Sequence, residues 1–397
     1  MNPRPGLDSG RPVRVTTMVD ALLAGGAERV AVEVACGLDR ERYQPHVLVT
    51  REDGPLRELL ERADVPFTIL GRSDKWDVSP WRRAHRHLVE HADLLHSHKF
   101  GSNAWGALLA RTARVPLVVH EHNFSETPTR SRRTIDRRWI ATRAGRVLCV
   151  SESVADVERA CGVDERLIEV VPNGVRLDSA WPRGAARAEL GLTARSFTIG
   201  IVGRLRPEKA HEVLLEAVAD LARSGRDVRL CVVGDGPRRT ELQLIAGKLG
   251  IDSRVTWAGE RRDAATLAAA FDVGVICSHW EGLPLAALES MAAGVPLVAT
   301  AVGGLPGLLS NGAGVVVPPA DPRALADALR TLIDDEQHRA RTGAAGRERV
   351  ARQYSFGAMV RHIQDIYDTV LDEQRASTRD ARRRHDEPAP TAGQEAA

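Results

Sequence analysis

The sequence is poor in cysteine and in aromatic side chains, and it has no long apolar run. Five cysteines and an aromatic content of 4% are spread over 397 residues, and no Cys-x-x-Cys pair or Cys/His cluster has the spacing of a metal site. Scattered thiols are typical of reduced core residues in a cytoplasmic protein. No apolar run approaches the roughly 20 residues of a membrane span, and residues 1–11 lack the apolar segment of a signal peptide. We therefore expect a cytoplasmic protein that does not cross a membrane.

An excess of one charge is also absent. The 55 Lys and Arg residues nearly balance the 53 Asp and Glu residues, which leaves a formal net charge of +2. So weak an overall field gives no reason to expect a nucleic-acid partner. The basic residues are instead concentrated locally, and seven arginines lie between Arg130 and Arg146.

Short apolar runs alternate with amphipathic stretches along the chain, which predicts parallel strands connected by helices. The series stops at the turn-rich residues 172–174 and restarts at Phe197, so we expect an α/β fold of two Rossmann-like domains that face each other across a cleft. The predicted division is a disordered N-terminus (1–11), a first domain (12–185), a second domain (186–355), a final helix (356–374) and a disordered tail (375–397).

One segment of the second half suggests a ligand site. A strand that ends near Cys277 is followed by a loop with Glu281 and by a helix that begins near Pro284, a residue suited to a first helical turn. The first amides of such a helix attract anions. Glu289 lies about one and a half turns further on, so the two carboxylates can hold two ends of an elongated polyhydroxyl ligand. An ordinary strand, loop and helix with solvated acids is an equal alternative.

A second group of charges precedes this segment. Gly203 ends the first strand of the second half, and Arg204 and Lys209 follow it. Two cations beside a glycine turn can bind a diphosphate and stabilise the charge that it gains on leaving. Either residue alone would more simply be a surface cation.

Taken in order, the motifs resemble the retaining glycosyltransferases of family 4, also described as glycosyl transferases group 1, which have the GT-B fold. The resemblance covers about residues 13–371 and implies a final helix that crosses back to the first domain. The motifs are Gly25-Gly26-Ala27-Glu28-Arg29, His96-Ser97-His98, His120-Glu121-His122-Asn123, Val171–Val175, Gly203-Arg204-Leu205 with Glu208-Lys209, Gly234–Pro237, Glu281-x7-Glu289 and Ala292–Pro296.

The resemblance implies transfer of a hexose-type sugar from a UDP-, GDP- or ADP-sugar to an acceptor hydroxyl, with retention at the anomeric carbon. Arg204 and Lys209 would bind the donor diphosphate, Glu281 the donor sugar, and Glu289 the ribose. His122 would lie beside the reacting sugar, and His120 is the less favoured histidine. The implied catalytic residues are His122, Arg204, Lys209 and Glu281, and the implied donor-binding residues are Gly25, Gly26, Gly203, Arg204, Lys209, Glu281, Gly282, Leu283, Leu285 and Glu289.

Two positions depart from the family pattern. Ala210 follows Glu-Lys where members often have glycine, and Gly307 stands where many members have glutamate. The first departure affects the shape of the loop, and the second puts an acidic contact in doubt. Neither removes the cations.

No Asp-x-Asp triplet occurs in the chain, so the carboxylates that would hold a divalent ion on a diphosphate are missing. We expect no metal and no other cofactor. Two other classes remain open, which are a nucleotide-sugar epimerase and a non-catalytic nucleotide-sugar binder.

The acceptor is open at this stage. Assembly of a cell-surface polysaccharide or glycolipid is the first expectation, and glycosylation of a small metabolite is the second. The segment Arg130–Arg146 could contact anionic lipid or a lipid-linked phosphate at the inner face of the membrane. A solvated helix face explains it equally well.

Overall fold

Two parallel sheets organise the computed structural model, which describes residues 10–73, 77, 79–122, 129–177, 181–193 and 196–386. The strands of the first sheet are β1 (Val13–Ala21), β2 (Tyr43–Glu52), β3 (Phe67–Ile69), β4 (Leu94–His98), β5 (Leu117–Glu121), β6 (Ala144–Cys149) and β7 (Ile168–Val170). Those of the second sheet are β8 (Phe197–Val202), β9 (Val228–Val233), β10 (Val255–Gly259), β11 (Val273–Ile276), β12 (Leu297–Thr300) and β13 (Val315–Val317).

Helices connect these strands and cover both sheets. They are α1 (Gly26–Gly37), α2 (Arg57–Arg62), α3 (Ser79–His91), α4 (Phe100–Ala113), α5 (Arg130–Ile135), α6 (Glu152–Cys161), α7 (Arg183–Glu189), α8 (His211–Arg223), α9 (Arg239–Lys248), α10 (Ala264–Leu267), α11 (Leu285–Ala292), α12 (Leu305–Leu308), α13 (Pro322–Asp334), α14 (Glu336–Gln353) and α15 (Phe356–Asp386). Among the described helices, none is both long enough and apolar enough to cross a membrane.

The strand order of each sheet reverses once. The first sheet has the order β3-β2-β1-β4-β5-β6-β7 and the second has β10-β9-β8-β11-β12-β13, with all neighbouring strands parallel. Sequential strands therefore run outward in both directions, from β1 and β4 in one sheet and from β8 and β11 in the other. Ligands of such sheets bind at the carboxyl ends of these central strands, where the connections diverge. The predicted α/β fold of two Rossmann-like domains is confirmed.

Helix α15 crosses back to the first domain, as predicted. It begins where Phe356 donates its backbone amide to the carbonyl of Val175 (3.0 Å). Farther along, the hydroxyl of Tyr43 donates to Asp368 Oδ1 (2.6 Å), and the buried Tyr367 hydroxyl lies 2.7 Å from His96 Nδ1. The last helix is thus attached to the carboxyl end of β4.

The structure corrects the ends and the division of the chain. Arg11 lies within the predicted disordered N-terminus, but its Nη1 is 2.7 Å from Asp93 Oδ2. Helix α15 continues through residues 375–386 of the predicted disordered tail, because arginine and alanine favour a helix that is already nucleated. Residues 1–9 and 387–397 lie outside the described residues. The predicted division at 185/186 cuts α7, whose Arg187 donates to the carbonyl of Ala270 (2.9 Å) in the second domain.

Candidate active site

The second domain brings together a lysine and a glutamate that lie 72 residues apart in the chain. Lys209 Nζ, in the turn after β8, is 2.5 Å from Glu281 Oε1, in the loop after β11. Ser278 Oγ donates to the same oxygen (2.7 Å), and Cys277 Sγ donates to the carbonyl of Lys209 (3.2 Å). Two residues predicted to act on one ligand therefore form a single ion pair at the carboxyl end of the sheet.

Arg204, which follows the glycine at the end of β8, faces the first domain. Its Nη2 is 3.1 Å from the position that a Cβ would take on Gly25, at the start of α1. Within the described part of the chain, this guanidinium has no hydrogen-bonded or ion-paired partner. It is free to bind an anion in the cleft.

Glycines allow the two domains to touch at this point. A Cβ on Gly282 would lie 2.0 Å from the carbonyl oxygen of His122, and a Cβ on Gly304 would lie 2.9 Å from Ser151 Cβ. Two atoms that are not bonded cannot lie so close together. The second domain can therefore approach the first domain here only because positions 282 and 304 have no side chain. The side-chain amide of Asn173 also donates across the interface, to the carbonyl of Leu283 (2.7 Å).

Two of the predicted glycines have open space around them. A Cβ on Gly26 or on Gly203 would meet no heavy atom within 4 Å. Tight turns were expected at Gly203 and at Gly234, and only Gly234 needs to be glycine, with a φ of 142° and a Cβ position 1.9 Å from the Gly203 carbonyl oxygen. The open space at Gly203 lies at the end of β8, on the side of the cleft, so a ligand can approach the backbone there.

Helix α11 begins at Leu285, and Pro284 is its N-cap residue with a φ of −71°. The helix starts one residue later than expected, and its first amides have no partner within the helix. They lie directly behind the loop with Glu281, so they supply donors and a partial positive charge to the same part of the cleft.

Glu289 is almost buried in α11, with 8% of its surface exposed. Its Oε1 lies 2.5 Å from Nη1 of Arg29, which belongs to α1 of the first domain. Burial raises the pKa of Glu289, and the charge of Arg29 opposes that rise. The predicted ribose carboxylate is therefore in contact with a residue for which sequence reasoning gave no role.

The first domain contributes histidines. His122 is 8% exposed, and its Nε2 lies 2.9 Å from Nδ1 of His98. His96 and His120 are fully buried beside them, with the His120 and His122 rings 4.3 Å apart. Burial lowers the pKa of His122 and of its neighbours well below their usual range, and that of His120 to about 3. The four rings are therefore neutral, and His96, His98 and His122 each make one hydrogen bond through a ring nitrogen.

Three of these rings also form a candidate metal group that sequence reasoning missed. One nitrogen from each of His96, His98 and His120 lies within 4.8 Å of the others. Nitrogens on one tetrahedral zinc lie roughly 3.3 Å apart, so the rings would have to turn before they could share an ion. Alternating histidines at the ends of two neighbouring strands, His-x-His twice, were the signal for this cluster.

Glu28 and Lys99 were also missed. Lys99 follows β4 with a φ of 70°, which is unusual for a residue with a side chain, and its Nζ is 2.5 Å from Glu28 Oε1. Glu28 Oε2 lies 2.1 Å from the Cβ position of Gly25. An ion pair of the first domain therefore borders the cleft opposite Arg204.

A cavity of about 800 Å³ lies outside this site. It is lined by Trp181, Arg183, Asp272, Arg339 and Arg347, among other residues. Asp272 immediately precedes β11, so this cavity is at the amino ends of the strands. Because the charged residues of the motifs lie at the opposite edge, it is not part of the site described above.

Known proteins resemble this chain in sequence and in fold. The sequence pattern described as Glycosyltransferase Family 4 matches residues 24–179, and that described as Glycosyl transferases group 1 matches residues 183–349. A D-inositol 3-phosphate glycosyltransferase of Kineococcus radiotolerans is 31% identical over 89% of this chain and 92% of its own. The solved structure of Anabaena Alr3699/HepE in complex with UDP-glucose has a TM-score of 0.80 and 25% identity, and it covers 90% of this chain and 99% of its own.

A second solved structure, a glycosyltransferase of Rickettsia africae, has a TM-score of 0.78 at 20% identity and covers 91% of this chain and 99% of its own. Fold and site together define a glycosyltransferase with the GT-B architecture. More specifically, the chain belongs to glycosyltransferase family 4.

Proposed function

We propose that this enzyme transfers a hexose-type sugar from a nucleotide-sugar donor to an acceptor hydroxyl, with retention at the anomeric carbon and without a metal ion. The observation that carries the proposal is the Lys209–Glu281 pair at the carboxyl ends of β8 and β11, together with the guanidinium of Arg204, which has no ion-paired partner among the described residues. UDP-glucose bound to the Anabaena relative supports a UDP-sugar as the first donor to test.

In this proposal the second domain holds the leaving group. Arg204, Lys209 and the first amides of α11 would compensate the charge that develops on the diphosphate as the glycosidic bond breaks. Glu281, anchored by Ser278, would hold the sugar hydroxyls. Its bond to Lys209 would fix the sugar relative to the phosphate that departs.

The first domain would supply the acceptor side. Neutral His122 would be a hydrogen-bonding partner of the reacting sugar, oriented by its contact with His98. Same-face attack assisted by the departing phosphate would then give retention through an oxocarbenium-like transition state. Closure of the domains, which the contact between Gly282 and the His122 carbonyl permits, would exclude water from this reaction.

The donor can be tested directly. We expect UDP-sugars to raise the melting temperature more than GDP- or ADP-sugars, and transfer to persist in excess EDTA. Proton NMR of the product would show the anomeric configuration of the donor. Epimerised donor without an acceptor would instead indicate the epimerase, and donor binding without turnover the non-catalytic binder. Loss of transfer in EDTA that added Mg²⁺ restores would contradict the metal-free mechanism.

For the acceptor, the relatives favour a small phosphorylated polyol. The Kineococcus radiotolerans relative is named for D-inositol 3-phosphate, and this supports the small-metabolite alternative over cell-surface polysaccharide or glycolipid assembly. A panel of inositol phosphates, free inositol and lipid extracts, tested with the preferred donor, separates these acceptors. Equal rates with inositol and its phosphate would contradict recognition of the phosphate.

Peripheral membrane contact through Arg130–Arg146 stays a proposal. Arg133, Arg137 and Arg138 are exposed on α5 and the turn after it, next to Trp139, which is 53% exposed. Replacing these three arginines with glutamate should abolish sedimentation with vesicles that contain anionic lipid. The matched control reverses three exposed arginines of the second domain, Arg223, Arg323 and Arg352. Equal sedimentation of both variants would contradict the membrane contact.

A further inference from the structure

One ion pair connects the two domains at the proposed nucleotide site. Arg29 lies on the first turn of α1, and its Nη1 is 2.5 Å from Glu289 Oε1 on α11, 260 residues away in the chain. The side chain of Glu289 is 7% exposed and that of Arg29 is 33% exposed. The carboxylate is thus held inside the second domain, and its counter-charge comes from the other side of the cleft.

Arg29 is itself held from behind. Its Nε donates to Glu33 Oε1 (2.8 Å), one turn further along α1. A guanidinium with two acceptors on separate nitrogens has a defined direction. The series Glu33, Arg29 and Glu289 therefore aims one charged donor at one carboxylate oxygen.

The second oxygen of this carboxylate remains available. No side chain or amide of the described residues donates to Glu289 Oε2. Were Arg29 to occupy both oxygens, it would block the carboxylate and would have to leave before a nucleotide could bind. Because it occupies only one, a ribose hydroxyl can donate to the other while the ion pair stays in place.

We propose that Arg29 is a positioning residue for the donor, which holds the Glu289 carboxylate ready for the ribose hydroxyls and so makes nucleotide binding depend on closure of the first domain over the second. The inference rests on the proposed function, since it assigns the ribose to Glu289. It adds a residue of the first domain to a subsite that would otherwise belong to the second domain alone.

A consequence is a dependence on pH. Burial raises the pKa of Glu289, and Glu33 adds to that rise, whereas Arg29 opposes it. Without Arg29 the carboxyl group would take up a proton at a higher pH and would lose acceptor strength. Donor binding by a variant that lacks this charge should therefore weaken as the pH falls and recover as the pH rises.

The test compares Arg29→Gln, Arg29→Lys, Glu289→Gln and the double variant Arg29→Gln/Glu289→Gln. We expect Arg29→Gln to raise KM for the UDP-sugar about tenfold with a smaller change in kcat, since a charge-assisted contact is lost from the binding site. The increase should shrink between pH 6 and pH 8.5, and lysine should restore part of the affinity. The double variant should bind no more weakly than Glu289→Gln, because both changes act through one carboxylate.

Arg57→Gln is the matched control. Arg57 also makes two ion pairs, with Asp53 and Glu61, but it lies on the exposed helix α2, so its loss should leave KM unchanged. If Glu289→Gln weakens donor binding and Arg29→Gln does not, Arg29 has no positioning role. Tighter binding by Arg29→Gln would show that it blocks the site. If Glu289→Gln has no effect either, the ribose assignment of the proposed function is wrong.

Discussion

The strand ends of the second sheet carry charged groups, whereas the ends of β4 and β5 in the first sheet carry four neutral imidazoles, with the Lys99–Glu28 ion pair beside them. Lys209 and Glu281 form an ion pair, and the guanidinium of Arg204 has no hydrogen-bonded or ion-paired partner within the described structure, while His98 and His122 make a contact between uncharged rings. Burial explains part of this difference. The histidines lie under the crossing helix, and their low pKa values keep them neutral. Glu281 is as buried as His122, each with 8% of its surface exposed, but its charge is balanced by Lys209, whose side chain is 27% exposed.

The difference suits the proposed function, in which the two sides of the cleft have different tasks. Charge is useful where a diphosphate gains charge, because prearranged cations stabilise it without reorganisation. A neutral, rigid surface suits the side on which a hydroxyl attacks. Each of the following predictions alters one side and asks whether the other side responds.

The largest effect is expected on the charged side. Lys209→Ala should lower kcat roughly 100- to 1000-fold, as is usual when a group that stabilises developing charge is removed. Lys248→Ala, which removes an exposed lysine at the end of α9, provides the control and should behave as the parent enzyme. A loss below about tenfold at Lys209 would mean that charge is not what this side contributes.

On the neutral side, His122→Asn should lower kcat by about 10- to 100-fold, the value of one or two hydrogen bonds in the transition state. His120→Asn should cost much less, because in the described structure neither nitrogen of the fully buried His120 has a hydrogen-bond partner. Steady-state rates at saturating donor decide between the two. A larger defect at His120 would reverse our assignment.

Acid should weaken the first sheet before the second. Burial lowers the pKa of His46 and His87 to about 4 and that of His120 to about 3, below the value near 6.5 of an unfolded chain. The unfolded chain then binds more protons, so stability falls as the pH drops from about 6.5 towards 4, by at most about 1.4 kcal/mol per pH unit for each histidine.

The second sheet has one comparable histidine among those described, His211, with a pKa lowered to about 4. Hydrogen exchange at pH 7 and pH 5, corrected for intrinsic rates, should therefore show greater loss of protection in β4 and β5 than in β8 and β11. Equal losses of protection in the two sheets would show that the first sheet is not more sensitive to acid than the second.

The smallest effect concerns backbone strain next to the charged pair. Ala210 has a φ of 47° and is fully buried, so Ala210→Gly should stabilise the protein by about 1 kcal/mol, or roughly 2–4 °C in Tm. Ala222→Gly, in the last turn of α8, should instead destabilise it, by no more than a similar amount. Calorimetry would measure both variants. A lower Tm for Ala210→Gly would mean that packing of the Ala210 methyl group contributes more to stability than the backbone strain of the turn costs.

Prediction from sequence succeeded where the signal was local and long. The apolar runs of β8 and β9 predicted buried parallel strands, as the structure shows, whereas the residue roles that the motifs predict for the second-domain site stay predictions. The three-residue edge strand β3 was missed, because the polar Thr68 interrupts its short apolar run. Helix α15 was ended too early because its last turns are polar and give no periodicity.

For the site, the structure places Lys209 and Glu281, two residues predicted to bind the donor, 2.5 Å apart, and their roles in binding and catalysis stay predictions. Sequence reasoning could not assign a role to Glu28, Arg29 or Lys99, because the important contact of each is with a residue on another element of the fold. The same holds for the histidine cluster, since two His-x-His patterns become one group only when β4 and β5 lie side by side.

The sequence by itself determined the family, the parallel sheets and the kind of residue at each strand end, because these depend on periodicity and on motifs a few residues long. Tertiary structure decided which of those residues meet. It gave Glu289 a counter-charge from the other domain, and it made glycine necessary at position 282 by placing the His122 carbonyl against it. The physical reason is that the burial and the partners of a side chain depend on which segments of the chain pack together. Here those segments are more than 100 residues apart in the sequence.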